Sequence, residues 1–345
     1  MSDVMTRDVL LRLVDEWLEE GGVVAGPVRR DSGSVHFETL ESSTQLVLDD
    51  FIHPANTAKE YVLPKTERLF RYRRHGNDVT LIDEPVEPAP ILLVGCRPCD
   101  AAAFPILDKV MGWDYQDSQY YRRRAALTVL TLACTEWDEQ CFCTSVGLGP
   151  AADRGSDALL LDLGDGSFDV RPLTDRGRAA LAGRTEASDR SAPLPAGPPS
   201  QVDLAPLQEI LRDGFDSPVW AKEGLRCTGC GACAFTCPTC HCFDIVDETA
   251  GDGGCRLRNW DSCQFGMFTV HASGHNPRPD QPSRQRQRLM HKFVIYPDKF
   301  DHVLCTGCGN CYRNCPVNLG VLNVLKAAAV RPSAAGGPVS RGEVT

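Results

Sequence analysis

The 345-residue sequence has no run of about eighteen apolar residues, so no segment is long and greasy enough to cross a bilayer as a helix. No G-x-G-x-x-G joins a strand-like run to a helix, and no P-loop is present, so there is no nucleotide fingerprint. No Ser/His/Asp set or carboxylate pair stands out, and no catalytic residue is nominated. Positive charge is scarce: 36 Lys and Arg stand against 46 Asp and Glu, a net charge of −10, which argues against nucleic acid as a partner. The opening MSDVMTRDVLLRLVDEWLEE is acidic and amphipathic, lacking the basic start and apolar stretch of a signal peptide. The expected compartment is the reducing cytoplasm, and these absences favour a relay over a self-sufficient enzyme.

Cysteine, in contrast, is abundant. Twelve of the 17 lie between 227 and 315. That stretch opens with Cys227-Thr-Gly-Cys230-Gly-Ala-Cys233-Ala-Phe-Thr-Cys237-Pro238 and closes with Cys305-Thr-Gly-Cys308-Gly-Asn-Cys311-Tyr-Arg-Asn-Cys315-Pro316. Each is a C-x2-C-x2-C-x3-C-P run, the spacing of bacterial two-cluster ferredoxins. Three cysteines three apart wrap one cubane from a single loop, with Gly229, Gly231, Gly307 and Gly309 easing the backbone past it. The fourth cysteine and its proline are expected to open a helix aimed at the other cluster. The expected ligand sets are therefore crossed: Cys227, Cys230, Cys233 and Cys315 for one [4Fe-4S] cluster, and Cys305, Cys308, Cys311 and Cys237 for the other. A structural zinc-binding adaptor is the bland alternative, but zinc has no use for the third and fourth cysteines or the proline. Cys233-x3-Cys237-x2-Cys240 also matches the spacing of radical enzymes that use S-adenosylmethionine. The repeat already accounts for Cys233 and Cys237, and the second copy has no counterpart of Cys240.

The rest of the chain reads as an α/β domain over 1–172, a polar linker or insertion over 173–203, an α+β, largely helical dicluster domain over 204–330, and a disordered tail over 331–345. A helix is predicted over 6–20, strand-like runs at Val35–Phe37 and Leu46–Leu48, and buried strands at 90–96 and 127–133. Asp100 is expected to cap a helix beginning at Ala101. A hairpin is expected over 159–170. If the two buried strands are parallel, Cys99 and Cys134 share the rim where α/β sheets place ligands. With Cys141 and Cys143 they make four thiols for a third metal site. The same rim is where a flavin or substrate would sit in the alternative reading of a self-contained oxidoreductase. Cys240, Cys242 and Cys263 are second-tier candidates that shield a cluster or help hold another metal, and Cys255 is a bystander. The basic, aromatic stretch 61–74 reads as a solvated loop or an anion site. The basic stretch 278–292 reads as a solvated helix face or a docking patch for an acidic partner.

Assembled, these residues resemble the beta subunit of cytoplasmic NiFe hydrogenases and sulfhydrogenases, a family related to the A subunit of anaerobic sulfite reductase. The resemblance is carried by Lys65-x-Glu67-x-Leu69-Phe70, Gly95-Cys96-Arg97-Pro98-Cys99-Asp100, Cys134 with Cys141-Phe142-Cys143, Cys237-Pro-Thr-Cys240-His-Cys242-Phe-Asp, Trp260-Asp-Ser-Cys263, the stretch from Gly274-His275 to Lys292-Phe293, and the last cysteine run. It implies a subunit with two or more cubanes that passes electrons between other subunits. Its partners would be a flavin subunit that handles NAD(P)H and a catalytic subunit that reduces protons, sulfur or sulfite.

Overall fold

A computed structural model describes residues 2–82 and 87–330. The expected tail, 331–345, lies outside the described residues. In chain order the strands are β1 (Ser2–Thr6), β2 (Val23–Arg29), β3 (Val35–Thr39), β4 (Thr66–His75), β5 (Asp78–Ile82), β6 (Ile91–Cys96), β7 (Leu127–Leu132), β8 (Ala158–Asp162), β9 (Ser167–Pro172), β10 (Glu186–Ser188), β11 (Phe243–Ala250) and β12 (Gly253–Trp260). They form an eight-stranded sheet, β10-β1-β9-β8-β7-β6-β2-β3, and a four-stranded sheet, β11-β12-β4-β5. None of the described helices is long and apolar enough to cross a membrane.

In the larger sheet β2, β6, β7 and β8 run parallel. Every residue of β6 and β7 is buried, as expected for central strands covered on both faces. The first helix, Arg7–Glu19, begins where Thr6 Oγ1 accepts from the Val9 amide and buries Leu10, Leu13 and Val14. Gly95 has φ +74° and sits where the pairing of β6 with β7 shifts by a residue. A bulge of this kind bends the strand's end and re-aims the next residues, Arg97 to Cys99.

Several local expectations are corrected. Leu46 and Leu48 are buried but not in a strand. Asp100 lies inside the short helix Pro98–Ala101, where its carboxylate accepts from the Arg97 amide at 3.4 Å, and so is not the capping residue. The stretch 61–74 is no solvated loop: it supplies β4, whose arginines lie mostly on the exposed side. The span 173–203 is not a structureless tether, because it contributes the helix Asp175–Leu181 and the edge strand β10, paired with β1.

The smaller sheet ties the two halves together, since β12 pairs with both β11 and β4. At this seam Arg258 of β12 donates from Nε to Glu67 at 2.9 Å and also pairs with Asp117, while Arg123 pairs with the other oxygen of Glu67. Trp260 Nε1 donates to Leu63 O at 3.0 Å. Glu67 and Arg258 are both buried. Removing one member of such a network leaves an uncompensated charge. Glu67→Ala is expected to destabilise the cluster-loaded protein by about 3–5 kcal/mol, read as a lower midpoint in denaturant unfolding. Arg256→Ala, which breaks the exposed pair with Asp247, should leave the midpoint nearly unmoved. Equal losses in both variants would show that the seam contributes nothing special.

Candidate metal centre

The two cysteine runs fold into matching loops. Gly229, Gly231, Gly307 and Gly309 all have φ between +68° and +78°, which L side chains rarely adopt. Gly231 and Gly309 each precede a short helix, Ala232–Phe235 and Asn310–Arg313, and these two helices pack together. The glycines serve protein packing as well as conformation. A Cβ on Gly307 would come within 2.5 Å of Cys143 N, and one on Gly309 within 2.6 Å of Gln140 O. Cys237 and Cys315 follow these helices in turns instead of opening new ones, so their prolines stand in turns as well.

All seventeen cysteines are free thiols. Several sulfurs receive donors. The Gly229 amide lies 3.5 Å from Cys227 Sγ, and the Gly307 amide 3.5 Å from Cys305 Sγ, the same contact in both copies. Leu319 N reaches Cys315 Sγ at 3.2 Å, Val321 N reaches Cys311 Sγ at 3.4 Å, and Gln281 Nε2 reaches Cys227 Sγ at 3.2 Å. Sulfurs that accept from amides are suited to carrying negative charge. Cys237 is an electrostatic neighbour of both Cys305 and Cys308 of the other run. Cys233 neighbours Cys227 and also Cys311.

Three cations are buried among these thiols. Lys292 Nζ donates to Cys237 Sγ at 3.4 Å, Thr239 Oγ1 at 3.2 Å and Leu304 O at 2.9 Å. Burial alone would favour the neutral amine, but Cys237, Cys240 and Cys305 hold the Lys292 pKa above its ordinary value. Arg288 donates to Cys233 O at 3.3 Å, while its Nε is buried without a hydrogen-bond partner. It faces Cys233, Cys311, Cys240 and Cys263. Lys59, from the first half, donates to the carbonyls of Ala234, Cys237 and Cys240 at 3.2, 3.0 and 2.7 Å, with its ammonium 4.1 Å from the centre of the Trp260 ring. Burial lowers the Lys59 pKa, opposed by the Cys240 and Cys237 sulfurs. This corrects the reading of 278–292 at two positions: Arg288 and Lys292 are buried and face the cysteine loops, whereas Arg284 and Arg286 are partly exposed. No local sequence signal marks Lys59, which lies far along the chain from the cysteines it meets.

Cys240, Cys242 and Cys263 line a cavity of about 450 Å³ together with His241, His291, Arg278, Arg288 and Lys292. The Cys242 thiol donates to Cys263, and with Arg288 nearby this pulls Cys263 down to about 6 against its burial. Burial drives His241 down to about 4 and His291 to about 3, so both imidazoles are neutral at physiological pH. Cys255 lies apart on β12, opposite Glu248 and Arg71. Cys99 and Cys134 follow the carboxyl ends of β6 and β7, and each of Cys99, Cys134, Cys141 and Cys143 has at least one of the others as an electrostatic neighbour, although no three of their sulfurs lie within 4.8 Å of one another. The loop that carries Cys308 packs against this rim, with Phe142 N donating to Gly307 O at 2.9 Å.

Convergent thiols, amides aimed at sulfur, and buried cations with no carboxylate partner among the described residues form a donor set that fits anionic iron–sulfur clusters. The comparisons with known proteins agree. Residues 226–319 match the 4Fe-4S dicluster domain family. Sulfhydrogenase 2 subunit beta of Pyrococcus furiosus is 31% identical over 324 residues, covering 89% of this chain and 92% of that relative. No solved structure matches the chain significantly. On this likeness along almost its whole length, the chain belongs to the family of sulfhydrogenase beta subunits, iron–sulfur proteins with a 4Fe-4S dicluster domain.

Proposed function

We propose that this chain is the electron-transfer subunit of a soluble, cytoplasmic, hydrogenase-type complex. It relays electrons between a flavin subunit that handles NAD(P)H and a catalytic subunit that reduces protons, sulfur or sulfite. Cys227, Cys230, Cys233 and Cys315 hold one [4Fe-4S] cluster, and Cys305, Cys308, Cys311 and Cys237 hold the other. Bound there, such clusters supply one-electron transfer without making or breaking a substrate bond. The observation that carries the reading is the position of Cys237, whose sulfur shares Lys292 Nζ with the carbonyl of Leu304, next to Cys305 and some seventy residues on in sequence.

The surrounding residues have separable tasks. The amides of Gly229, Gly307, Leu319 and Val321 orient and stabilise charged sulfurs. Lys292 and Arg288, both buried, bring positive charge to the sulfurs. Phe293, Leu322, Leu325 and Trp220 pack around the same core and keep it dry.

Two measurements test this. In a chain whose Cys305, Cys308 and Cys311 are all alanine, the cluster at Cys227 should survive. Adding Cys315→Ala should then remove about 4 further irons, whereas adding Cys237→Ala should remove none. The reverse result would sink the crossed assignment. Separately, Lys292→Met should lower a cluster's reduction potential by an amount on the order of tens of millivolts, because one charge near the sulfurs is lost. A redox titration followed by electron paramagnetic resonance reads the shift, and an unchanged potential would count against an electrostatic role for Lys292.

A further inference from the structure

We propose that the rim of the large sheet holds a third [4Fe-4S] cluster, ligated by Cys99, Cys134, Cys141 and Cys143. The proposal rests on the two-cluster reading above and extends it to a part of the chain outside the dicluster domain.

Four thiols arrive from three separate places. Cys99 sits in the short helix just after β6, re-aimed by the bulge at Gly95. Cys134 follows β7, its amide held by Pro150 O at 2.8 Å. Cys141 and Cys143 flank Phe142 in a loop fixed from several sides. Cys141 N donates to Asp138 Oδ1 at 3.2 Å, and Gln201 Nε2 donates to Cys141 O at 3.0 Å. Cys99 has Cys134 and Cys143 as electrostatic neighbours, and Cys134 has Cys143 and Cys141. Chance burial of small apolar residues does not require three separate segments to be pinned so that their thiols become electrostatic neighbours.

The surroundings are those of a charged group. Arg313 donates from Nη2 to Cys141 Sγ at 3.1 Å and is held by Asp138 at 2.6 and 2.8 Å. Beside Cys99, the ring of His53 and the carboxylate of Asp100 lie 3.1 Å apart, both side chains buried. Asp100 Oδ1 has no hydrogen-bond partner, and the ligand atoms of His53, Cys99 and Asp100 lie within 4.8 Å of one another. Buried polar atoms left unmatched and facing a thiol are a cost that a bound group would remove.

Spacing separates a cluster from a single ion. Four sulfurs on one tetrahedral zinc stand about 3.8 Å apart, given Zn–S bonds of about 2.3 Å. Among the described residues no three of the rim thiols come within 4.8 Å of one another, and neither do those of the two ferredoxin-type loops. The rim thiols thus stand further apart than the ligands of one tetrahedral zinc. The rim is also joined to one of the ferredoxin-type loops: Arg313 Nη1 donates to Cys308 O at 2.5 Å, and Gly307 packs on Cys143. A rim cluster would exchange single electrons with the cluster at Cys305, one centre being oxidised as the other is reduced.

The test is the metal content of the full-length chain, prepared and reconstituted anaerobically. About 12 irons and 12 sulfides per chain are expected, falling to about 8 of each in Cys141→Ser/Cys143→Ser. Spin counting on the dithionite-reduced wild-type protein should give three interacting centres, a readout that stands even if the variant fails to fold. About 8 irons in the wild type would overturn the rim cluster and leave the two-cluster reading intact. About 8 irons with one zinc, lost in the double variant, would likewise overturn it in favour of a mononuclear site. About 4 irons or fewer would overturn the two-cluster reading itself.

Discussion

The structure depends on positive charge placed in its interior. Lys59, Arg288 and Lys292 are 3%, 3% and 2% exposed, and among the described residues none pairs with a carboxylate. An isolated buried ion costs several kcal/mol after relaxation. Three of them in one interior make sense only if the groups they face are negative. Those groups are the sulfurs of Cys233, Cys237, Cys240, Cys263, Cys305 and Cys311. The local fold meets that demand. Helix Gln281–Met290 presents Arg288, and a π-helical turn over His291–Ile295 rotates the next stretch so that Lys292 also points inward. Such turns are rare and tend to occur where a side chain must be placed against the normal helical repeat.

The same demand binds the two halves of the chain. Lys59 comes from the first half but is satisfied by three carbonyls of the second. β12 returns from the second half to pair with β4, and Phe142 of the first half packs in the core formed by Leu207, Leu289 and Phe293. The ferredoxin-type segment is therefore not a bead appended to an α/β domain. Its clusters would lie at the junction, with ligands' backbones and compensating charges drawn from both sides. Loss of that junction would expose both the cations and the sulfurs at once, which ties retention of metal to retention of the seam.

The parts of this arrangement written in short-range spacing were legible in the sequence. The two cysteine runs are local patterns, and the glycines within them declare their unusual backbone. The apolar runs that became β6 and β7 announced buried strands; their parallel pairing, left open by the sequence, sets the rim position of Cys99 and Cys134. Anything decided at a distance escaped. The arginines of β4 look like a solvated loop because one side of that sheet is exposed; their pairing with β12 depends on residues almost two hundred positions away. Arg288 and Lys292 look like surface charge because a basic run reads the same whether it meets water or thiolates. Nothing near Lys59 in the chain hints at its three carbonyls. Asp175–Leu181 and β10 were hidden in a polar stretch whose composition resembles a tether.

The net charge of −10 and the cationic interior act on different scales. Surface carboxylates are screened beyond about 8–10 Å at ordinary ionic strength, so their pull on a buried centre is weak and varies with salt. Lys292 and Arg288 are in contact with the sulfur-bearing loops and are screened far less. A cluster held there would take its potential from these two side chains and from the amides aimed at its sulfurs. The acidic exterior would instead govern which protein surfaces approach. The fold thereby separates two properties that a relay must set independently: the energy of the electron inside, and the identity of the partner outside.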